Sequence, residues 1–479
     1  MNMLKAVLFD LDDTLANTSS LEEIRETRNY DELTPEVLAK IRPYKKVLAL
    51  LEGLKAAGVK TGVVTNSGRR YAQAVLAQLG LPEFDTVVTY TDVKADGAKP
   101  SPDGILLALS NMGVKVSSDV IYIGDNYIDF VAAYRAGVKP VACSWASRRP
   151  ISQVPALELS TEYLLSELDN AQGLLPAAEI CEVNQGLDFD KKRLYFIPLD
   201  LDGNTITVKS DLRVLCLGRY FSQKSVVTAR YHDAHPLSRK IAEKESNAHF
   251  EAPQHWIDLV AHCVKEIPNY FSLEGSLDLV TVIPSKPEKN PRLERMLSAV
   301  AEQLSSPPVA MANLFSFAAN TPSQKSLARF EREDSIKNNL FLNPEHQGLV
   351  RGKTIVVIDD VLTTGATMRR AFDLLENEGA NLVIGLALAK TVSIVEEEKE
   401  CQKCGRPMRL RLNSANGIRF WGCTGYHSSS CDYNEPVEEK RCPKCDRSMV
   451  KRMNRQRRTY FLGCTGYNQS PACHHSENI

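Results

Sequence analysis

At 479 residues the chain is long enough for about three or four domains, and its 58 Lys/Arg against 59 Asp/Glu leave it near neutral. The balance conceals an asymmetry: from Cys401 onward 14 Lys/Arg face 6 Asp/Glu, so the tail is +8 and the remainder −9. No segment approaches about 18 uninterrupted apolar residues and the start is a short strand without a long apolar core or cleavage site, so a soluble, cytoplasmic, reducing setting is expected.

Near the amino terminus, Lys5 to Phe9 (KAVLF) has the unbroken apolar character of a buried strand and runs into DLDDTL. Asp10 and Asp12 then fall on one pleat face at a strand terminus, a placement that suits magnesium and phosphoryl transfer. Three further segments follow in order: VVTNSG (Val63 to Gly68), AKPSPDG (Ala98 to Gly104) and GDNYIDF (Gly124 to Phe130). Together the four resemble the motifs of the haloacid dehalogenase superfamily, over residues 1–170. The resemblance implies Asp10 as the nucleophile that forms an aspartyl-phosphate and Asp12 as general acid, then base. It also implies Thr65 or Ser67 against the phosphoryl group, Lys99 as the cation holding carboxylate and phosphoryl group, and magnesium on Asp10, Asp12 and Asp125. Asp129 is expected to support these ligands from behind. As local structure alone, Ser67 reads as a cap for a helix starting near Gly68, and Asp13 as a turn residue. Between Leu15 and Val47 only about one short helical insertion stands where larger relatives carry a cap domain, so an extended or macromolecular substrate is expected to reach Asp10.

Gln172, Gly173 and Pro176 mark a boundary, and runs such as LYFIPL (Leu194 to Leu199) open a second fold expected over residues 185–395. LVTVIPSKP (Leu279 to Pro287) reads as a buried strand ending in a loop, with Ser285 and Lys286 placed for pyrophosphate. Ile355 to Ile358 is another β-branched strand, delivering Asp359 and Asp360 into a Thr/Gly loop; Ala366 to Glu378 then has helical periodicity ending at Gly379. At such a strand end, backbone N–H groups and the helix N-terminus receive a phosphate. Thr363, Thr364, Gly365, Ala366 and Thr367 form the cradle, while the two carboxylates accept from vicinal hydroxyls. The segment IVVIDDVLTTGAT resembles the phosphoribosyl pyrophosphate motif of type I phosphoribosyltransferases, whose acidic pair holds the ribose and whose loop holds the 5′-phosphate. Thr321 to Phe341, with Gln324, Leu327, Arg329, Arg332 and Phe341, is similar to the flexible catalytic loop of competence-protein (ComF-type) members, with Lys325 and Arg329 as candidate cations. Read plainly, it is a solvated surface loop. No base-binding segment is legible, so transferase architecture is better supported than turnover.

After the charge run Glu396 to Glu400 comes an internal repeat offset by 41 residues: Cys401-x2-Cys404-x18-Cys423-x7-Cys431, then Cys442-x2-Cys445-x18-Cys464-x8-Cys473. Four thiols per unit, two of them in a tight turn, suit one structural zinc each; disulfides compete, but a cytoplasmic chain argues against them. Phe420 to Tyr426 (FWGCTGY) recurs as Phe461 to Tyr467 (FLGCTGY). The units, expected at 401–436 and 440–479, resemble the carboxyl-terminal zinc ribbons of type IA topoisomerases, which bind single-stranded DNA. Trp421, Tyr426 and Tyr467 can stack on bases, and Arg409, Arg411, Lys451 and Arg452 can attract the backbone. The competing reading makes the aromatics the ribbons' small cores and the ribbons protein-contact modules.

The fold class expected is therefore α/β, a Rossmann-like hydrolase domain and a phosphoribosyltransferase-type domain followed by two zinc ribbons. The function expected is a multidomain enzyme with a magnesium-dependent phosphatase and a module binding phosphoribosyl pyrophosphate or a nucleotide. Zinc ribbons would recruit it to single-stranded DNA or RNA, in DNA uptake, repair or anti-phage defence by analogy. The alternatives are a phosphoribosyl pyrophosphate-sensing regulator with only the phosphatase active, and a nucleic-acid end phosphatase.

Overall fold

Alternation along the first strand, β1 (Ala6–Phe9), sends Val7 and Phe9 into one apolar cluster and Ala6 and Leu8 into another, so its sheet is buried on both faces. That is the pattern of a parallel sheet wound on both sides by helices. The computed structural model describes residues 3–478 apart from 147–149, 207–208, 224, 306, 319–338, 395–398, 405, 414–415, 417, 427–430, 455 and 458. The loop expected to close over the sugar thus falls outside the described residues, except for its end at Asn339, Leu340 and Phe341. The chain divides into two units, residues 1–221 with 232–392 and residues 222–231 with 393–479.

In the first unit, β1 is followed by β2 (Lys60–Val64), β3 (Thr86–Val88), β4 (Val120–Gly124), β5 (Lys139–Cys143) and β6 (Leu157–Leu159). They form one parallel sheet in the order β3-β2-β1-β4-β5-β6. The order reverses between β1 and β4, the crevice where ligands sit in open sheets of this type, and Asp10 and Asp125 directly follow those two strands.

The same unit carries a second sheet from β7 (Ile197–Leu199), β8 (Val214–Cys216), β9 (Arg219–Phe221), β10 (Leu279–Val282), β11 (Val309–Ala310), β14 (Thr354–Leu362) and β15 (Leu382–Val392). Its order is β11-β10-β14-β15-β8-β7, with β9 also on β15 and only β7 antiparallel. Between them in sequence, β12 (Phe315–Phe317) and β13 (Leu340–Leu342) pair as a separate ribbon. Two sequence readings shift. β14 does not stop at Ile358: the eleven-residue β15 offers partners as far as Leu362, so both aspartates lie inside the strand. In Leu194 to Leu199 only the last three residues are strand, because the Tyr195 carbonyl accepts from the Ala177 N–H instead of a sheet partner.

The second unit holds two four-stranded antiparallel sheets, one from Lys399 to Pro436 and the other from Glu438 to Asn478. Each centres on a hairpin, and Met408 opposite Cys423 recurs as Met449 opposite Cys464.

Candidate functional site

At the crevice of the first sheet, the Lys99 ammonium donates to Asp10 Oδ1 at 2.6 Å, Asp129 Oδ1 at 2.7 Å and the Tyr122 hydroxyl at 3.0 Å. All four side chains are buried. Asn66 fixes Lys99 from behind, donating to its carbonyl at 2.8 Å and accepting from its N–H at 2.7 Å. Burial works against the ammonium, but Asp10 and Asp129 outweigh it and hold the lysine well above its ordinary pKa. Burial also raises Asp10 well above the ordinary aspartate range, against Lys99 and with help from Asp129, Asp125 and Asp12.

Asp10, Asp125 and Asp129 each bring a carboxylate oxygen within 4.8 Å of the others. Asp125 accepts from Thr14 Oγ1 at 3.2 Å and is pushed up to about 7, first by burial and then by Asp129. Asp129 Oδ2 accepts from the Asn126 N–H, closing a capping box that fixes it at the start of the helix Tyr127–Ala136. An all-oxygen set under this mutual repulsion is the donor chemistry that a hard divalent cation satisfies.

Asp12 lies outside that carboxylate cluster and faces donors. Its Oδ1 accepts from Tyr71 Oη at 2.7 Å, Thr18 Oγ1 at 2.8 Å and Arg25 Nη1 at 3.0 Å; its Oδ2 accepts from Ser67 Oγ at 2.7 Å. Ser67 is therefore not a helix cap, and the helix Arg69–Leu79 has Gly68 at its N-cap with no side-chain bond. Thr65 Oγ1 accepts from the Ser67 N–H at 3.0 Å, and Asp13, at φ 53°, accepts from the Thr18 N–H as a turn residue.

In the second sheet, Asp359 Oδ1 accepts from the Asp360 N–H at 2.8 Å. Asp360 Oδ2 meets Lys244 Nζ at 2.6 Å and Arg292 Nε and Nη2 at 3.0 and 2.6 Å. Burial raises Asp360, yet these two cations outweigh it and hold the group well below the usual carboxylate range. Asp359 is pushed up to about 7 by burial and then by Asp360. Gly365 turns the loop at φ 75°, and a Cβ there would stand 2.8 Å from the Leu201 carbonyl, so only glycine fits. Arg369 pairs with Asp202 at 2.6 Å and Lys390 donates to the Thr363 carbonyl, tying down both shoulders of the loop ahead of the helix Ala366–Asn377. Ser285 is engaged by its own loop and the helix after it: its N–H donates to Glu294 Oε1 at 2.6 Å, and its hydroxyl lies 2.8 Å from the Asn290 carbonyl and 3.0 Å from Glu294 Oε2. Burial lowers the Lys286 ammonium, which sits 5.8 Å from the Phe317 ring centre.

Sequence reading missed Lys244, Arg292, Arg25 and Tyr71. Arg292 lies just past the Ser285 loop and was accessible to inspection; the others reach their carboxylates only through tertiary packing. Asn66 was visible inside TNSG.

In the ribbons, each set of four cysteine sulfurs lies within 4.8 Å. The pairs Cys401/Cys431 and Cys442/Cys473 are 3.7 Å apart, and Cys404/Cys423 and Cys445/Cys464 are 3.4 Å apart. A disulfide needs about 2.05 Å, whereas thiolates about 2.3 Å from one tetrahedral zinc stand roughly 3.8 Å apart. The Gly425 and Gly466 N–H groups donate to Cys423 and Cys464 sulfur, at 3.2 and 3.3 Å. Tyr426 and Tyr467, equivalent in the repeat, are 58% and 53% exposed, whereas Trp421 is half-buried against the first cysteine cluster. Lys451 lies 4.4 Å over Tyr460, whose hydroxyl donates to the Asn416 carbonyl and joins the two ribbons. Arg452 packs along Gly463. Arg409 and Arg411 lie in the strand opposite Gly422 and Phe420; their side chains are outside the described set.

Among the described residues no helix is long and apolar enough to cross a membrane. Residues 21–143 match the haloacid dehalogenase-like hydrolase family, beginning beyond Asp10 and Asp12. Residues 294–406 match the phosphoribosyl transferase domain, which includes Asp359 to Thr367. Residues 398–440 and 439–479 each match the topoisomerase DNA-binding C4 zinc finger, and all eight cysteines fall within them. The pyrophosphatase PpaX of Bacillus velezensis is 39% identical over 117 residues, 24% of this chain and 50% of that one. The N-acetylmuramic acid 6-phosphate phosphatase of Pseudomonas aeruginosa is 35% identical over 109 residues, 23% and 47% of the two chains. The phosphoglycolate phosphatase of Rhodospirillum rubrum is 32% identical over 155 residues, 32% and 61%. The chain thus spans about half the length of the first curated relatives it matches.

Proposed function

We propose that this chain, which carries a haloacid dehalogenase-like hydrolase domain, a phosphoribosyl transferase domain and two topoisomerase-type C4 zinc ribbons, is a magnesium-dependent two-site enzyme recruited to single-stranded nucleic acid. The observation that carries the reading is the Lys99 ammonium joined to Asp10 and Asp129, with Asp125 beside them at the sheet's reversal point. Asp10 attacks phosphorus while Lys99 steadies both its carboxylate and the incoming phosphoryl oxygens. Asp12 gives a proton to the leaving oxygen, then takes one from the water that opens the aspartyl-phosphate. Asp10 and Asp125, with Asp129 behind, would hold magnesium, whose positive charge would offset the phosphate's own. Similarity to proteins named pyrophosphatase and phosphoglycolate phosphatase makes small phosphorylated compounds substrates to test beside phosphorylated nucleic-acid ends.

In the second site, Asp359 and Asp360 hold the ribose hydroxyls of phosphoribosyl pyrophosphate, and residues Thr363 to Thr367 hold its 5′-phosphate at the helix N-terminus. A sensing role without turnover is the second reading. It is favoured by the Ser285 loop, whose N–H is already taken by Glu294 and whose hydroxyl is taken by the Asn290 carbonyl and Glu294, leaving neither donor open for pyrophosphate. Two structural zinc ions would complete the ribbons, held by the two sets of four cysteines, and a cytoplasmic role in DNA uptake, repair or anti-phage defence suits such a combination.

The test is paired. Phosphate release from phosphorylated small molecules and oligonucleotides is expected to vanish in Asp10→Asn and persist in Asp359→Asn. Pyrophosphate release from phosphoribosyl pyrophosphate, across candidate bases with and without single-stranded DNA, is expected to show the reverse. Binding without release on every base leaves sensing as the function of the second site.

A further inference from the structure

Residues 17–46, the insertion after β1, are a built wall of the phosphatase site rather than one short helix. They fold as a turn at Ser19–Leu21, a helix at Glu22–Thr27, a turn at Tyr30–Glu32 and a helix at Pro35–Leu38. Leu21, Ile24 and Ile41 are buried in the main apolar cluster of the first sheet. The Tyr30 hydroxyl lies 2.6 Å from where a Cβ on Gly68 would stand, so glycine in the TNSG segment lets the insertion seat there. The Tyr30 ring lies 6.2 Å from Tyr71, and the Arg28 guanidinium lies 4.4 Å over Tyr90.

This seating aims Arg25 at Asp12. Its Nη1 is 3.0 Å from Asp12 Oδ1 and 3.3 Å from Thr18 Oγ1, with the side chain 25% exposed. Thr18, Ser67 and Tyr71 hold Asp12 with neutral hydroxyls; among the described residues Arg25 is the one cation paired with it. On the phosphatase reading, on which this inference rests, Asp12 works at the leaving-group oxygen. A group in contact with Asp12 is therefore beside the leaving group, and Arg25 keeps a quarter of its side chain exposed there.

We propose that Arg25 is a specificity-determining residue that selects phosphate esters and anhydrides whose leaving group carries a second anionic group close to the bridging oxygen, such as a carboxylate or a further phosphate. That anion draws the guanidinium away from Asp12 into a charge-assisted bond, and the Asp12 carboxylate, released from its charged partner, takes up a proton from water and meets the bridging oxygen. The bond from Asp10 oxygen to phosphorus forms as the phosphorus–leaving-oxygen bond breaks, and the Asp12 proton goes to that oxygen. Water then attacks the aspartyl-phosphate and returns a proton to Asp12, so ester and water become alcohol and phosphate. With a neutral leaving group nothing competes for the guanidinium, and the ion pair holds Asp12 back.

The full chain with magnesium is assayed on 3-phosphoglycerate and glycerol 3-phosphate, which differ in a carboxylate against a hydroxymethyl group. The expected preference in kcat/KM is roughly 10- to 100-fold for the carboxylate, the range that one hydrogen bond between charged groups supplies at a partly exposed site. Arg25→Met is expected to collapse the ratio to within about threefold of one, and Arg25→Lys to keep part of it, since ammonium supplies charge without the planar fork. A ratio near one in the unaltered chain overturns the proposal, as does a ratio that Arg25→Met leaves intact while both rates fall together, the result of a purely structural role. If the chain also fails on p-nitrophenyl phosphate the phosphatase reading itself falls; activity there without the carboxylate preference removes only the role of Arg25.

Discussion

Lys99 and Asp10 form a buried ion pair of 2.6 Å, and the lysine side chain, 3% exposed, has no water to fall back on. Lys99→Met removes the one cation that, among the described residues, pairs with the buried carboxylates Asp10 and Asp129. Breaking such a pair costs about 3–5 kcal/mol because the remaining charge stays buried. A lower urea midpoint is expected from Trp145, whose indole N–H donates to the Thr14 carbonyl beside the site at 2.9 Å. Phosphate release is expected to fall about 100-fold or more, since on the proposed mechanism the same cation steadies the attacking Asp10 carboxylate.

The raised acids make metal binding depend on pH. A folded value of about 7 for Asp125 lies above its unfolded value of 3.8, so the stability tied to that shift is fully present below the unfolded value and is lost as pH rises through about 7. Above that point the cluster is ionised and repels itself, which a divalent cation relieves. The thermal shift given by magnesium is therefore expected to grow from pH 6 to pH 8, and Asp125→Asn is expected to flatten that dependence. A shift equal at both values contradicts the assignment.

Asp360 behaves in the opposite sense. Its folded pKa is depressed, so its contribution to stability is present above the unfolded value of 3.8 and lost as pH falls toward the lowered one. Asp360→Asn leaves Lys244 and Arg292 facing an uncharged amide. We expect both a lower melting temperature at pH 7 and at least about tenfold weaker binding of phosphoribosyl pyrophosphate by calorimetry, a loss of about 1.4 kcal/mol. Asp359→Asn is expected to weaken binding without the drop in stability, because burial already pushes that acid up to about 7.

What was legible in the sequence follows the range of the chemistry. Asp10 with Asp12, Asp359 with the Thr/Gly loop, and the paired cysteines are local patterns, since neighbouring residues on one strand end or one turn must act together. The partners that tune them are not local. Lys244 reaches Asp360 across 116 positions and Tyr71 reaches Asp12 across 59, as only the winding of helices over the sheets brings them together. The extent of β14 was misread for the same reason: an aspartate pair looks like a strand end until the long β15 supplies a partner. The Arg25 helix was legible as an insertion, but its aim depends on Tyr30 seating over Gly68.

The ribbons are expected to hold two zinc ions per chain, measured by elemental analysis. Cys423→Ser and Cys464→Ser are each expected to lose one, because each removes one of four sulfurs gathered within 4.8 Å. Loss of the metal from one ribbon is expected to unfold that ribbon, whose buried cluster consists largely of its cysteines with Met408 or Met449 and Leu462.

The repeat also separates aromatics that can stack from those that fold the ribbons. Tyr426 and Tyr467 are more than half exposed at equivalent positions, while Trp421 is half-buried against the cysteine cluster. Each exposed tyrosine is expected to contribute about 1–3 kcal/mol to single-strand binding. Tyr426→Ala and Tyr467→Ala should then weaken the affinity for a single-stranded oligonucleotide by roughly 5- to 150-fold each without changing zinc content. Lys451, held 4.4 Å over Tyr460 and adjacent to Arg452 in the strand, is expected to act on the nucleic-acid backbone instead. Lys451→Ala is expected to reduce the slope of log affinity against log salt by about 0.7. Trp421→Ala is expected to lower the thermal stability of the first ribbon along with binding. Unchanged affinity in both tyrosine variants, with zinc retained, would make the ribbons protein-contact modules.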